Sequence, residues 1–335
     1  MRAAKNTIDF IVIGAQKAGT TALFEYLKRH PELSLPASKE MPFFSYDAHM
    51  EQGWADYMDK AAFVGAERKW GTITPQYMVG GVLDATGAQG KRRGFYDERT
   101  VPLRIRKQLP DVRLIAVLRD PVERTRSHHQ MAVMDGFERR SFADAVADLL
   151  SVGALEDARR NPSETTGYVA WSEYGRVLSG YFDVFPREQL LVVFTNELER
   201  APAELLRRVQ AFIGVRSDFV PDNLGARYRS SGAERRFSWM SPYASLSPQG
   251  LKLALAHNER ARAVWARLPA NGQLWVRRRY EAAAYRVDLW NRRGERSSGE
   301  PDSNTVVRLR EHFASDADRL TALMGAVPPW VATTV

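Results

Sequence analysis

Cysteine is absent from the 335-residue sequence, so disulfide bonds, thiolate metal sites and cysteine nucleophiles are excluded. Long apolar runs are also missing, because no segment approaches the roughly 20 apolar residues that a membrane-spanning helix needs. The first predicted strand begins at Ile8, and we therefore expect neither a signal peptide nor a membrane span. Nothing points to an oxidising compartment, and we expect a cytoplasmic protein. The sequence shows no cluster of metal-ligating residues, so we expect no bound metal.

The composition is that of a globular protein, with 44% hydrophobic and 26% charged residues. The length suffices for one large α/β domain or two smaller ones. A net charge of +8 implies attraction to anions. Nucleic-acid binding would require basic residues clustered with aromatic ones or a known module, whereas the basic runs at 91–93, 235–236 and 277–279 show neither. We therefore expect a polyanionic cofactor and no nucleic-acid partner.

Residues 8–30 predict a strand, a loop of small residues and a helix in direct succession. The apolar, β-branched run 8–13 is typical of a buried strand, and Gly14 interrupts it. Apolar residues then recur at helical spacing from Thr20 until the proline at position 31 ends the helix. The N–H groups of such a loop and first helical turn lack partners, and the helix dipole favours an anion there. The segment therefore predicts a phosphate site.

The loop differs from the nucleoside-triphosphate loop in one decisive residue. Gly14 and Gly19 have the spacing of that loop, but Thr20 stands where its lysine would reach the β- and γ-phosphates. The only lysine, Lys17, lies inside the loop. This position suits a ligand whose charge ends at a 5′-phosphate and one attached group. A kinase that uses ATP with Mg²⁺ remains the alternative on a related fold.

Two short segments, about one helix apart, resemble one enzyme family. Residues 16–21, QKAGTT, are similar to the 5′-phosphosulfate loop of sulfotransferases that use 3′-phosphoadenosine 5′-phosphosulfate (PAPS) and release adenosine 3′,5′-bisphosphate (PAP). Residues 39–44, KEMPFF, resemble the segment of the catalytic glutamate in the branch of heparan sulfate enzymes and their bacterial relatives. The resemblance implies that Glu40 is the general base and that Lys17 stabilises the leaving phosphate. It assigns to the cofactor the loop residues Lys17, Ala18, Gly19, Thr20 and Thr21.

On the acceptor side, residues 71–77, GTITPQY, resemble the family segment that turns from a strand end toward the acceptor. The resemblance implies that Lys39, Thr74 and Tyr77 contact the substrate. Heparan-type enzymes have an acidic residue and a lysine where this chain has Thr72 and Ile73. That departure favours a small metabolite, a glycan or a natural product over a long sulfated polymer as the acceptor.

A second buried strand, residues 112–118, ends at Arg119, and Ser127 follows on the next helix. An arginine and a hydroxyl so placed can bind one phosphate together. The pattern resembles the family's 3′-phosphate segment and assigns this role to Arg119 and Ser127. We expect Arg124 to form an ion pair with Asp120 or Glu123.

A third strand, residues 190–194, leads to a helix that starts at Pro202 and ends at Gly214. Many relatives place an aromatic residue near position 195 for adenine stacking, and this chain has Thr195, which leaves adenine recognition unassigned. The resemblance adds Arg229, Ser230 and Gly232 as a loop over the 3′-phosphate. Apolar periodicity further predicts one amphipathic helix over 166–185. A terminal helix over 309–330 is expected to carry a capping box and a glycine stop, at Ser315, Asp318 and Gly325.

These observations predict an α/β fold with a mainly parallel central sheet flanked by helices. We expect one sulfotransferase domain over 1–335, with a helical Arg/Ala-rich insertion at about 241–304. The expected function is sulfuryl transfer from PAPS to a hydroxyl or amine of a small-molecule or glycan acceptor. A nucleotide-dependent kinase is the first alternative, and a basic nucleic-acid-binding protein is the second.

Overall fold

Five parallel strands form the central sheet of the protein. The structure is a computed structural model that describes residues 5–79, 81, 97–134, 137–226 and 302–332. Of residues 233–235 and 292–295 it describes the backbone. The strand order is β2-β3-β1-β4-β5. Every neighbouring pair is parallel, as the sequence predicts. The strands are β1 Phe10–Gly14, β2 Leu33–Ser34, β3 Lys69–Ile73, β4 Arg113–Leu118 and β5 Leu190–Phe194.

The chain divides into two compact units. The first comprises Met1–Ala132, Arg139–Tyr228 and Pro301–Val335, and the second comprises Val133–Glu138 and Arg229–Glu300. The five-stranded sheet belongs to the first unit. In the second, two short strands pair in antiparallel fashion, β6 Ala233–Arg235 and β7 Arg292–Glu295. The predicted cofactor residues Arg229, Ser230 and Gly232 lie outside the described residues, as does most of the predicted insertion at 241–304.

Strand β1 is buried along its whole length, since helices cover both faces of a parallel sheet. It pairs with β3 on one side and β4 on the other, so Ile11 stands opposite both Thr72 and Leu114. Gly71 faces Phe10 across the first pair, and an added Cβ there would lie 2.1 Å from the Phe10 ring. The glycine therefore leaves the space that the end of the Phe10 ring occupies.

The helices predicted to start at Thr20 and Pro202 do so, whereas the terminal helix predicted over 309–330 spans Ser303–Met324. The helices are α1 Thr20–Leu27, α2 Asp47–Gln52, α3 Trp54–Ala61, α4 Thr100–Gln108, α5 Pro121–Met134, α6 Phe142–Leu149, α7 Val152–Arg160, α8 Tyr174–Phe182, α9 Thr195–Arg200, α10 Pro202–Ile213, α11 Ser303–Met324 and α12 Pro329–Ala332. Within the described ranges, none of them has the length and apolar character needed to cross a bilayer.

The prediction of one helix over 166–185 is wrong. A short 3-10 turn, Ala170–Ser172, precedes α8, and Glu173 leaves the helical conformation at φ −79° and ψ 72°. Both carboxylate oxygens of Asp316 accept hydrogen bonds of 2.8 Å, from the N–H groups of Gly175 and Arg176. A new helix therefore starts at Tyr174, because a side chain from α11 caps it.

The capping box predicted at Ser315 and Asp318 is also wrong, because both residues lie inside the 22-residue helix α11. The helix begins after Asp302, whose carboxylate accepts a 3.3 Å hydrogen bond from the N–H of Thr305. The predicted stop is confirmed, since Gly325 ends the helix in the left-handed region at φ 71°.

Candidate functional site

The predicted phosphate loop lies between β1 and α1, where the chain turns at two glycines with positive φ. Gly19 has φ +93° and directly precedes the helix. The first hydrogen bond of α1 runs from the N–H of Leu23 to the carbonyl of Gly19, at 3.2 Å. The N–H groups of Gly19, Thr20 and Thr21 precede that bond, and no side chain in the described part of the chain caps the helix. The helix start therefore offers backbone donors to an anion.

Glu40 lies in the loop that precedes α2, with a donor on each carboxylate oxygen. The Lys39 ammonium is 2.9 Å from Oε1, and the Gln76 side-chain amide donates to Oε2 at 2.7 Å. The Glu40 side chain is 36% exposed, whereas that of Lys39 is 14% exposed. The carboxylate is therefore held in a defined direction and still reaches solvent, as a general base requires.

Thr74 and Tyr77 are fully buried and hold the backbone that follows Glu40. The Thr74 hydroxyl accepts from the N–H of Met41 at 3.2 Å. The Tyr77 hydroxyl accepts from the N–H of Phe43 and donates to the carbonyl of Met41, both at 2.8 Å. Burial raises the pKa of the Tyr77 phenol, which keeps it protonated as a donor. In this structure the side chains of Thr74 and Tyr77 are hydrogen-bonded to the backbone that follows Glu40 and fix its position.

The Glu40 segment and the phosphate loop are joined through the 3-10 turn Pro75–Val79, which carries Gln76. An added Cβ on Gly14 would lie 2.5 Å from Cβ of Met78 and 3.0 Å from the carbonyl oxygen of Pro75. The turn therefore packs directly against the first residue of the loop. Because β1 and β3 are parallel neighbours, their carboxyl ends place the phosphate loop and the turn that carries Gln76, the hydrogen-bond partner of Glu40, on one edge of the sheet.

Arg119 follows β4 at the same edge. One guanidinium nitrogen lies 3.5 Å from the carbonyl of Lys17, and another lies 3.4 Å from the Glu123 carboxylate. Its side chain is 32% exposed, so it is accessible to a ligand. Ser127 lies on α5 and is nearly buried. Both predicted 3′-phosphate residues thus come from the β4–α5 segment beside the loop.

Arg124 does not form the predicted ion pair with Asp120 or Glu123. It is fully buried and donates to the carbonyls of Gln16 and Tyr168, each at 3.0 Å. Asp120 instead pairs with Arg310 of α11 at 2.5 Å. Burial lowers the pKa of Arg124 to about 10, so the guanidinium stays charged at neutral pH. The prediction failed because the partners of Arg124 come from distant parts of the chain, whereas Asp120 and Glu123 are only its neighbours in the sequence.

His128 completes this buried network. An Arg124 nitrogen lies 2.9 Å from its Nδ1, and since arginine can only donate, Nδ1 must accept. The opposite nitrogen, Nε2, then carries the proton and donates to the carbonyl of Glu164 at 2.8 Å. Burial and the charge of Arg124 lower the pKa of His128 well below its usual range. The imidazole is therefore neutral and serves to orient Arg124.

Two residues of the site were not identified from the sequence. Gln76 lies in the segment singled out for the acceptor, but its bond to Glu40 joins residues 36 positions apart. Thr195 donates from Oγ1 to the carbonyl of Ala18, 177 positions away, at 2.8 Å. Neither contact has a local sequence signal, although a polar residue directly after a buried parallel strand suggests proximity to such a site.

Comparison with known proteins shows which family the chain resembles. Residues 9–219 match the model of the Sulfotransferase family. Mouse heparan sulfate glucosamine 3-O-sulfotransferase 3B1 is 28% identical over 218 residues, covering 64% of this chain and 47% of that protein. Human bifunctional heparan sulfate N-deacetylase/N-sulfotransferase 3 is 28% identical over 218 residues, covering 62% of this chain and 22% of that protein. The chain thus spans about half the length, or less, of these curated relatives.

A solved structure shares the fold over nearly the whole chain. The sulfotransferase from Alicyclobacillus acidocaldarius superposes with a TM-score of 0.60 at 23% sequence identity, covering 95% of this chain and 96% of that one. The similarity confirms the predicted α/β architecture. Since the family model matches residues 9–219, which include the phosphate loop, Glu40 and Arg119, the chain belongs to the sulfotransferase family.

Proposed function

We propose that this protein transfers a sulfuryl group from PAPS to a hydroxyl or amine of an acceptor. Three arrangements support the proposal: backbone donors at the start of α1, Arg119 near them with Ser127 on the following helix, and the Glu40 carboxylate, which Gln76 of the turn after β3 contacts. The Glu40 carboxylate, held by Lys39 and Gln76, is the observation that carries it. A site that only bound an anion would gain nothing from a positioned negative charge.

The described residues fit PAPS. The N–H groups before Leu23 and the helix dipole suit the 5′-phosphosulfate, which Lys17 and the amides of Gly19, Thr20 and Thr21 would hold. Arg119 and Ser127 would hold the 3′-phosphate. In addition, the buried Oε1 atoms of Gln16 and Gln76 have no hydrogen-bond partner in the described part of the chain. These acceptor oxygens need a hydrogen-bond donor, which the hydroxyl or amine of an acceptor would supply.

The chemistry requires a proton acceptor and charge stabilisation. When bound, PAPS supplies an activated sulfuryl group on a phosphate leaving group. Glu40 takes the proton of the attacking hydroxyl or amine, because its carboxylate is accessible and oriented by Gln76. Lys17 and the first amides of α1 offset the negative charge that grows at the 5′-phosphate position. Lys39, which is mostly buried beside Glu40, keeps the carboxylate in place and lines the acceptor side.

The acceptor is proposed as a small metabolite, a glycan or a natural product. The relatives named above act on heparan sulfate, which makes a glycan the natural first class to screen. The strand-end position where heparan-type enzymes carry a lysine is Ile73, whose side chain is fully buried. Ile73 therefore provides no positive charge that could bind a polyanionic polymer. The absence of this charge favours a smaller acceptor. A cytoplasmic location stays a prediction.

The test combines nucleotide titration with turnover. Calorimetry with PAP, AMP and ATP, each with and without Mg²⁺, should show tight and metal-independent binding of PAP alone. Preference for ATP with Mg²⁺ would indicate a phosphoryl-transfer enzyme instead. Salt-sensitive binding of nucleic acid would indicate a basic nucleic-acid-binding protein. With radiolabelled PAPS and a glycan and metabolite panel, Glu40→Gln should lower turnover by about 100-fold or more while PAP affinity stays within about twofold. Normal turnover of that variant would remove Glu40 from its role.

A further inference from the structure

Three consecutive carbonyls of the phosphate loop each face a side chain from the segments that follow β4 and β5. Arg124 donates from Nε to Gln16 at 3.0 Å, and an Arg119 nitrogen lies 3.5 Å from the Lys17 oxygen. Thr195 donates from Oγ1 to Ala18 at 2.8 Å. The Arg119 distance is at the outer limit of a hydrogen bond, so Arg124 and Thr195 provide the firm contacts.

These contacts set the direction of the loop amides. A trans peptide unit is planar, and its C=O and N–H groups point to opposite sides. Fixing the carbonyl of Gln16 therefore turns the N–H of Lys17 away from Arg124. In the same way, fixing the carbonyl of Ala18 turns the N–H of Gly19 away from Thr195. The loop amides that an anion needs are thus aimed by side chains that lie on the opposite side of the loop.

Thr195 is placed for this role by the fold. It is the first residue of α9, directly after β5, and its hydroxyl also lies 3.1 Å from the carbonyl of Leu118 at the end of β4. The same helix packs against Gly19, since an added Cβ there would lie 2.9 Å from Leu198 Cδ2 and 3.9 Å from Thr195 Cγ2. Thr195 therefore contacts both the loop and the end of β4, the strand that Arg119 follows.

We propose that Thr195 is a positioning residue for the 5′-phosphate group, an inference that rests on the proposed function. Its hydroxyl holds the Ala18–Gly19 peptide so that the Gly19 N–H faces the bound anion. Gly19 has φ +93°, a conformation that glycine leaves readily, so the peptide can rotate once the hydroxyl is gone. The residue acts through the loop and does not itself touch the nucleotide.

The test compares two nucleotides that differ only in the 5′-phosphate. Thr195→Val keeps the branched shape and removes the donor, whereas Thr195→Ser keeps the donor. By calorimetry, Thr195→Val should bind PAP about tenfold more weakly, or about 1.4 kcal/mol. Its affinity for adenosine 3′-monophosphate should stay within about twofold, and Thr195→Ser should resemble the wild type for both. If Thr195→Val does not fold, Thr195→Ala takes its place with the same expected ratio.

The matched control is Thr321→Val, which removes a hydroxyl that donates to the carbonyl of Ala317 within α11. It should change neither affinity. Equal weakening of both nucleotides by Thr195→Val would indicate a merely structural role and overturn the inference, as would unchanged binding of PAP. Failure of the wild type to bind either nucleotide would instead overturn the proposed function, so the two failures are distinguishable.

Discussion

Gln76 and Glu40 form a hydrogen bond of 2.7 Å between Nε2 and Oε2, across 36 positions of the chain. Gln76 is nearly buried in the 3-10 turn after β3, whereas the Glu40 side chain is 36% exposed. A rigid turn therefore orients the accessible carboxylate. Lys39 contacts the other oxygen at 2.9 Å, so both carboxylate oxygens of Glu40 have a donor nearby.

Gln76→Ala should lower kcat about 10- to 100-fold, because a small misplacement of a general base costs that much. PAP affinity should stay within about twofold, since Gln76 lies on the acceptor side of the loop. Steady-state kinetics with a confirmed acceptor, together with calorimetry, provide both values. The matched control is Gln189→Ala, whose amide donates to the carbonyls of Pro110 and Val112. A kcat of Gln76→Ala equal to that of the control would contradict the positioning role.

Two arginines of the β4–α5 segment should respond differently to replacement by lysine. Arg124 is fully buried and satisfies two carbonyls, which a lysine cannot reach together, so Arg124→Lys should destabilise the fold by about 2–4 kcal/mol. Arg119 is partly exposed, so Arg119→Lys should change stability by less than about 0.5 kcal/mol. It should instead weaken PAP binding more than AMP binding.

Urea denaturation gives the free energy of unfolding of both variants, and calorimetry gives the two affinities. If Arg124→Lys were as stable as the wild type, the hydrogen bonds of Arg124 to the two carbonyls would not stabilise the fold. Equal loss of PAP and AMP binding in Arg119→Lys would show that Arg119 does not recognise the 3′-phosphate.

These arginines also show what the sequence could and could not predict. Strands β1, β4 and β5 follow from apolar runs, and the phosphate loop follows from glycine spacing, because both signals are local. The partner of Arg124 is not local, since it donates to Tyr168, 44 positions away. The kink at Glu173 likewise depends on Asp316 of α11, about 140 positions later. Contacts between segments that are distant along the chain produce no periodic pattern in the sequence, so the sequence alone does not predict them.

Gly19→Ala should destabilise the protein and weaken PAP binding. A side chain at φ +93° is strained, and its Cβ would lie 2.9 Å from a methyl group of Leu198. We expect a loss of about 1–3 kcal/mol in urea denaturation. Gly153→Ala is the control, because Gly153 lies in helix α7 with open space around the added Cβ, and that change should be neutral or stabilise by up to about 1 kcal/mol. Similar effects of the two substitutions would mean that neither the strain nor the crowding at Gly19 matters.

Glu173, which directly precedes α8, is held by donor side chains from three helices. Its carboxylate accepts from Arg159 at 2.6 Å, from Arg176 at 2.6 Å and from His312 at 2.9 Å. Burial by itself raises the pKa of Glu173, but the hydrogen bonds from His312 and Arg159 and the charge of Arg176 outweigh it and lower the pKa to about 2. The carboxylate therefore joins α7, α8 and α11 only in its ionised form.

The stability of the protein should therefore fall with acidification between about pH 4.5 and pH 2. Unfolded Glu173 takes up a proton below its ordinary pKa of 4.5, whereas the folded residue stays ionised down to about 2. Since the unfolded state binds more protons in this range, the free energy of unfolding decreases as the pH falls, by up to about 3 kcal/mol from this group. Urea denaturation should show that Glu173→Gln costs much more stability at pH 6 than at pH 3. Glu199→Gln, at an exposed position, should cost little at either pH. A penalty for Glu173→Gln that does not depend on pH would contradict the ionised cluster.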